Sequence, residues 1–147
     1  MKAEELLRQT IARFVDNEFI PVAREIDEKE EFPWEMFRKL AKLGTFGIRY
    51  PKEYGGSGGN TTMFCIMCEE LARGSIAVAA FTAMQCLMGT DFIFRYGTEE
   101  HKRRLLIPAI KGEKVVAFAL TEPEAGTDLA GVRTTATRTD DGYIING

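Results

Sequence analysis

The densest run of hydrogen-bonding and backbone-shaping residues in this sequence is Thr121, Glu122, Pro123, Glu124, Ala125, Gly126, Thr127 and Asp128. The hydroxyls of Thr121 and Thr127 can each donate and accept. Pro123 stiffens the turn and confines Glu122 to extended geometry. Gly126 allows a close backbone approach to a ligand, and consecutive amides at residues 125–127 are of the kind that form an anion-binding nest. Asp128 is suited to anchor the loop by accepting backbone N–H groups. The loop follows an apolar run at residues 115–120, and polar loops at the ends of rigid strands are where binding sites concentrate. On residue chemistry alone these groups suit a flat or phosphorylated ligand; an ordinary turn-rich connection is the alternative.

Other candidate chemistry is thinner. Cys65 and Cys68 stand three apart, but a zinc site needs two more ligands, and only His101 and Cys86 remain. A redox pair opens a helix after a strand, whereas this pair falls within a helical pattern, so both thiols read as small buried hydrophobes. No metal site is expected. Gly55, Gly56, Ser57, Gly58 and Gly59 match neither dinucleotide nor P-loop spacing, so they read as a flexible connector with several positive-φ positions. Lys102, Arg103 and Arg104 read as a solvated face.

The elements that must position these residues come next. At 147 residues, 45% hydrophobic and 28% charged, the chain fits one soluble domain or one domain plus part of another. A net charge of −3 provides no general attraction for nucleic acid. Three cysteines, an odd number in apolar runs, together with an N-terminus lacking an early apolar block, suggest a cytoplasmic location. Leu7, Ile11, Val15, Phe19, Val22 and Ile26 recur at helical spacing, predicting a helix over 4–28 that Pro21 kinks. A second helix is predicted from Pro33 to Gly44, and a third over 61–73 with Asn60 or Thr61 as its cap. Ser75 caps a fourth from Ile76 to about Tyr96, apolar nearly all round. Its length nearly spans a bilayer, but Gln85, Asp91 and Arg95 interrupt it, so a central helix buried on most faces is expected and no membrane. Phe81, Met84 and Met88 fall on one side of it, either lining an apolar pocket or simply as core. Thr98 caps a fifth helix, disturbed by Pro108 and stopped by Gly112. Residues 115–120 then read as a strand covered on both faces. Residues 132–139 alternate like a half-buried strand, and Asp141-Gly142 signals a hairpin into Tyr143. The fold class is therefore mostly α: a bundle of about five helices in residues 1–113, then the first strands of an incomplete antiparallel β domain at 114–147. The chain stops on Asn146-Gly147, itself a turn dipeptide, and so reads as interrupted.

Residues 117–128, AFALTEPEAGTD, resemble the flavin-loop signature of the acyl-CoA dehydrogenase family, an aromatic strand followed by T-E-P-x-A-G-S-D. Thr127 replaces the usual serine and keeps its hydroxyl. Other stretches agree in order: Pro51-Lys52-Glu53-Tyr54-Gly55-Gly56 with P-x-x-Y-G-G, Glu69-Glu70-Leu71-Ala72-Arg73 with E-E-L-A-R, and Gly142-Tyr143-Ile144-Ile145-Asn146-Gly147 with G-Y-x-I-N-G. Tyr96-Gly97-Thr98-Glu99-Glu100-His101-Lys102 resembles Y-G-T-E-E-Q-K, with His101 in place of glutamine. The resemblance covers this chain but only the first part of the family's length.

It implies an enzyme that uses FAD to dehydrogenate an acyl-CoA thioester between its α and β carbons, a carboxylate taking the α-proton and flavin the β-hydride. Carried over by position, Phe118, Leu120 and Thr121 lie along the isoalloxazine. Gly126 and Thr127 meet the FAD pyrophosphate region, and Thr127 also reaches the CoA phosphates. Ala80, Phe81, Met84 and Met88 match positions lining the acyl pocket. The implied partners are an electron-transfer flavoprotein as acceptor and further copies of the chain, as a dimer or tetramer. The family's base belongs to a C-terminal bundle beyond these positions, so no catalytic residue is assigned among Glu69, Glu70, Glu122 and Glu124, and the fragment alone is expected to be inactive. Two other readings are a non-catalytic helical module binding acyl-CoA or a partner, and an acyl-CoA oxidase or flavin monooxygenase on the same scaffold.

Overall fold

The computed structural model describes residues 3–147; Met1 and Lys2, which open the predicted N-terminal domain, lie outside the described residues. The helices are α1 (Ala3–Phe14), α2 (Ile20–Lys29), α3 (Trp34–Leu43), α4 (Thr61–Gly74), α5 (Ile76–Tyr96), α6 (Glu99–His101) and α7 (Ile107–Ile110). Strands β1 (Thr135–Thr139) and β2 (Gly142–Asn146) pair antiparallel. The chain divides into two compact units, one ending at Ala117 and the other Phe118–Gly147.

The predicted first helix exists, but its irregularity is a widened turn. A π turn at Val15–Phe19 joins α1 to α2, with the Ile20 N–H bonded to the Val15 carbonyl five residues back. The same device, Lys102–Leu106, joins α6 to α7, with Ile107 N–H on the Lys102 carbonyl. Each wide turn ends just before a proline, Pro21 or Pro108, in the first turn of the next helix. A proline supplies no N–H to the carbonyl four residues behind it, and the wider turn is how the ladder passes that gap.

Helix ends follow the sequence signals. Gly44 closes α3 at φ 81°. The Asn60 side chain accepts from Met63 N–H at 2.9 Å, and Ser75 Oγ from Val78 N–H at 3.5 Å. At α6 the Thr98 hydroxyl accepts from His101 N–H at 3.2 Å while His101 Nδ1 accepts from Thr98 N–H at 3.4 Å. His101 thus completes the reciprocal cap that a glutamine would make.

The main core gathers Ile11, Val15 and Phe19 from the first helical stretch, Phe37 and Leu40 from α3, Phe46 from the short turn Thr45–Gly47, Met67 and Leu71 from α4, and Val78 and Cys86 from α5. Burial pushes the Cys86 thiol well above the ordinary cysteine range. Tyr50, Tyr54, Leu106 and Ile110 form a second cluster. Between α1 and α4, buried Glu70 accepts from Arg8 at 2.6 Å and from Arg73 at 2.8 Å. Among the described residues, no buried side-chain polar atom lacks a partner.

Several expectations are corrected. The glycine run is an ordered strap. Gly56 N–H bonds to Pro51 O at 3.1 Å, Ser57 to Gly47 at 3.0 Å, Gly58 to Tyr50 at 2.8 Å and Gly59 to Ile48 at 2.7 Å. A Cβ on Gly56 would stand 2.0 Å from the Tyr50 carbonyl oxygen. The positive φ anticipated for this run occurs at Gly55 and Gly58. Helix α5 is not buried on most faces: Ile76, Met84, Met88, Phe92 and Tyr96 are exposed, while its inner face carries Thr82, Gln85 and Thr90. It remains the one described helix long and apolar enough to cross a membrane by composition. Cys65 is exposed rather than buried, because α4 turns Ile66, Met67, Glu70 and Leu71 inward instead.

The second unit contains a two-stranded hairpin running from Thr135↔Asn146 to Thr139↔Gly142. Its turn residues are Asp140 and Asp141, one position before the predicted pair, and Gly142 opens β2 at φ 150°. Residues 115–120 join no ladder, and Val115 and Leu120 are exposed. A strand needs a neighbour to satisfy its backbone, and the two strands present satisfy each other.

Candidate functional site

The loop at 121–128 is shaped by Glu122. Its N–H donates to Ala125 O at 2.9 Å and its carbonyl accepts from Ala125 N–H at 3.2 Å, closing a turn with Pro123 and Glu124 at the tip. The Glu122 carboxylate accepts from Arg133 N–H at 2.7 Å, Thr134 N–H at 3.0 Å and the Thr134 hydroxyl at 2.5 Å. The Thr134 hydroxyl, followed by the Arg133 amide, holds this carboxyl below the usual glutamate range. Asp128 accepts from Ala130 N–H at 3.0 Å and starts the short turn Leu129–Gly131, the anchoring role expected of it.

The consequence is a loop braced from behind and open in front. Ala125 is buried, and its amide is spent on Glu122, so it cannot serve in an anion nest. Thr121, Gly126 and Thr127 are exposed. A Cβ built on Gly126 meets no atom within 4 Å, so the space beside it is empty. Phe118 is half-buried and Leu120 exposed.

On α5, Ala80, Met84 and Met88 face outward. Phe81, on the same side by helical angle, reaches inward to Phe32 and Phe37 at ring distances of 5.2 and 6.1 Å. Long helical side chains lean over the preceding turn, which carries this ring toward the core. The α5 group and the loop group are each placed within their own unit. None of the four carboxylates passed over as a base is idle: Glu69 and Glu70 bind Arg8, Glu122 braces the loop, and Glu124 lies 3.8 Å from Arg133.

Sequence reading missed Gln85, taking it only as an interruption in an apolar helix. It is buried, its Nε2 donates to Ala109 O at 3.0 Å and Lys114 O at 2.8 Å, and its Oε1 accepts from Val116 N–H at 3.0 Å. The available signal was an uncharged polar residue amid apolar ones, which needs partners if buried.

Residues 1–113 match the family described as acyl-CoA dehydrogenase, N-terminal domain. The chain belongs to the acyl-CoA dehydrogenase family. It is 46% identical over 144 residues to the benzylmalonyl-CoA dehydrogenase of Aromatoleum aromaticum, covering 98% of this chain and 38% of that relative. The chain thus spans well under half the length of the curated relatives it matches. Its structure is similar to a chain in the electron transferring flavoprotein structure from Acidaminococcus fermentans, with TM-score 0.94, 31% identity, and 100% and 39% of the two chains covered. It is also similar to an acyl-CoA dehydrogenase complexed with FAD from Bacillus anthracis, with TM-score 0.88, 30% identity, and 98% and 25% covered.

For an acyl-CoA dehydrogenase the implied cofactor is FAD, and the loop fits its demands. A pyrophosphate needs close backbone approach and donors, which the open side of Gly126 and the exposed Thr127 provide. A flavin ring edge needs donors and acceptors beside an apolar wall, the character of Thr121 next to Leu120.

Proposed function

We propose that this chain is the N-terminal part of an FAD-dependent acyl-CoA dehydrogenase that dehydrogenates an acyl-CoA thioester between its α and β carbons. The observation that carries the reading is the braced loop: Glu122 rigidifies it from behind while Gly126 and Thr127 face open space. Phe118, Leu120 and Thr121 would lie along the isoalloxazine, and Gly126 and Thr127 would hold the pyrophosphate. The Thr127 hydroxyl would also serve the CoA phosphates. FAD, when bound, supplies the two-electron acceptor for the hydride that leaves the β carbon. Ala80, Met84 and Met88 present a flexible apolar surface suited to an acyl chain, with Phe81 as its inner boundary.

Glu69, Glu70, Glu122 and Glu124 each have a partner of their own, and none is assigned as the base; proton abstraction is placed outside this sequence, and the fragment alone is expected to be inactive. Electron-transfer flavoprotein is the proposed acceptor, an assignment supported by the family and by the likeness to the Acidaminococcus structure. Assembly as a dimer or tetramer and a cytoplasmic location belong to the same reading.

The test uses a full-length enzyme carrying this sequence. It should purify yellow, with flavin in stoichiometric amount, and Thr127→Val should weaken FAD or acyl-CoA binding by about 1 kcal/mol through loss of one hydroxyl bond. Unchanged affinity for both ligands would remove Thr127 from the site.

A further inference from the structure

Residues 114–117, the last of the helical unit, are seated on α5 by two residues one turn apart. Gln85 grips their main chain, accepting from Val116 N–H and donating to Lys114 O, and its second donor bond ties the same grip to Ala109 O at the end of α7. Gly89 makes room for the side chain: a Cβ there would stand 2.8 Å from Val116 Cβ and 2.9 Å from Val116 Cγ2. A core position filled for packing alone would carry leucine or methionine, which need no partners. The buried amide is satisfied here only because three main-chain groups from two other segments converge on it. Phe118 follows two residues after Val116, so the seat of Val116 limits the start of the next stretch to within about 7 Å of chain.

We propose that Gln85 is a positioning residue for cofactor binding, with Gly89 as its steric counterpart: together they set where the chain leaves the helical unit and enters the stretch 118–127. The proposal rests on the FAD reading of that stretch. Gln85 itself touches no ligand in this account; it acts through residues 114–117.

Three variants of the full-length enzyme test it. Gln85→Leu keeps the volume and removes all three bonds. Gly89→Ala favours the helix intrinsically but drives a methyl into Val116. Thr82→Val is the control, since Thr82 is equally buried on α5 yet bonds only to Val78 O within its own helix. Amide hydrogen exchange at Val116 and the FAD dissociation constant are read for each, beside the melting temperature. Gln85→Leu and Gly89→Ala should each speed exchange at Val116 at least tenfold and weaken FAD at least tenfold. Thr82→Val should lower the melting temperature and leave both unchanged. Weakened FAD binding in Gly89→Ala without a lower melting temperature would separate positioning from general destabilisation. FAD affinity in Gln85→Leu and Gly89→Ala equal to that of Thr82→Val overturns the proposal, whether or not Val116 exchange has changed. A wild-type enzyme that takes up no flavin instead overturns the functional reading, and this proposal with it; flavin uptake by the wild type tells the two failures apart.

Discussion

In the helical unit Phe19, Phe37, Phe46 and Leu71 are closed off from solvent, whereas in Phe118–Gly147 only Ala125 is buried and Tyr143, Ile144 and Ile145 are 66%, 55% and 71% exposed. The first unit therefore draws its order from apolar burial, with its polar groups placed inside as satisfied struts. The second draws its order from a ladder of main-chain bonds and from one carboxylate, Glu122. A two-stranded hairpin is at best marginal without a packed face. The proposed ligand-facing loop is thus held by polar bonds, among them those of one carboxylate that acid can protonate, while the scaffold feeding it is held chiefly by packing.

Truncation in the core makes the sharpest test of that contrast. Phe46→Ala should cost about 3–5 kcal/mol in denaturant unfolding, since Phe46 is fully buried against Phe37 at a ring distance of 4.7 Å. A cost below about 1 kcal/mol would break the comparison at its stronger end. Tyr50 comes next. Its hydroxyl lies 2.7 Å from both Cys86 O and Thr90 Oγ1, and burial pushes it up to about 12. Tyr50→Phe should cost about 1 kcal/mol. The wild-type contribution should be intact below the unfolded value of 10.0 and fall between there and about 12, because the unfolded chain ionises first. A pH–stability profile of wild type and Tyr50→Phe across that window measures both.

The hairpin unit should respond at the opposite end of the pH scale. The Glu122 carboxyl is held below 4.5, so its support is present above that value and lost as pH falls through the folded value. The protection of the Arg133 and Thr134 amides, measured against an unstructured amide at the same pH, should fall on acidification, and Glu122→Gln should abolish that acid dependence while the core amides of α4 stay protected. Protection that is independent of pH in the wild type would deny Glu122 its bracing role. The smallest effect belongs to the hairpin surface: Ile145→Ala should change stability within about 0.5 kcal/mol, read from the same unfolding curves.

Helix ends were the most legible part of the fold, because Gly44, Asn60, Ser75 and Thr98 act through bonds within a few residues of themselves. What escaped sequence reading depended on distant partners. An apolar composition on α5 could not say that Thr82, Gln85 and Thr90 face inward and Met84 and Met88 outward. The apolar run at 115–120 has the composition of a covered strand, but composition cannot provide the strand beside it. The glycine strap looked loose because its restraints are the carbonyls of Gly47, Ile48 and Tyr50, several residues away. In the loop, the local roles of Pro123 and Asp128 were readable, while Glu122 was not, since its partners stand eleven and twelve residues on.

The two wide turns before Pro21 and Pro108 bear on angular phase. Ile11, Val15 and Phe19 are all buried, yet they are spaced by fours, and in a uniform α-helix each such step overshoots a full turn by about 40°. A turn closed five residues back advances fewer degrees per residue, so the overshoot is taken out where it accumulates. The π turn thus works as a phase corrector, keeping one apolar edge aimed at the core across a proline. At the first of these turns the surplus residue belongs to that alignment, which leaves Val22 and Ile26 packed against the core beyond Pro21.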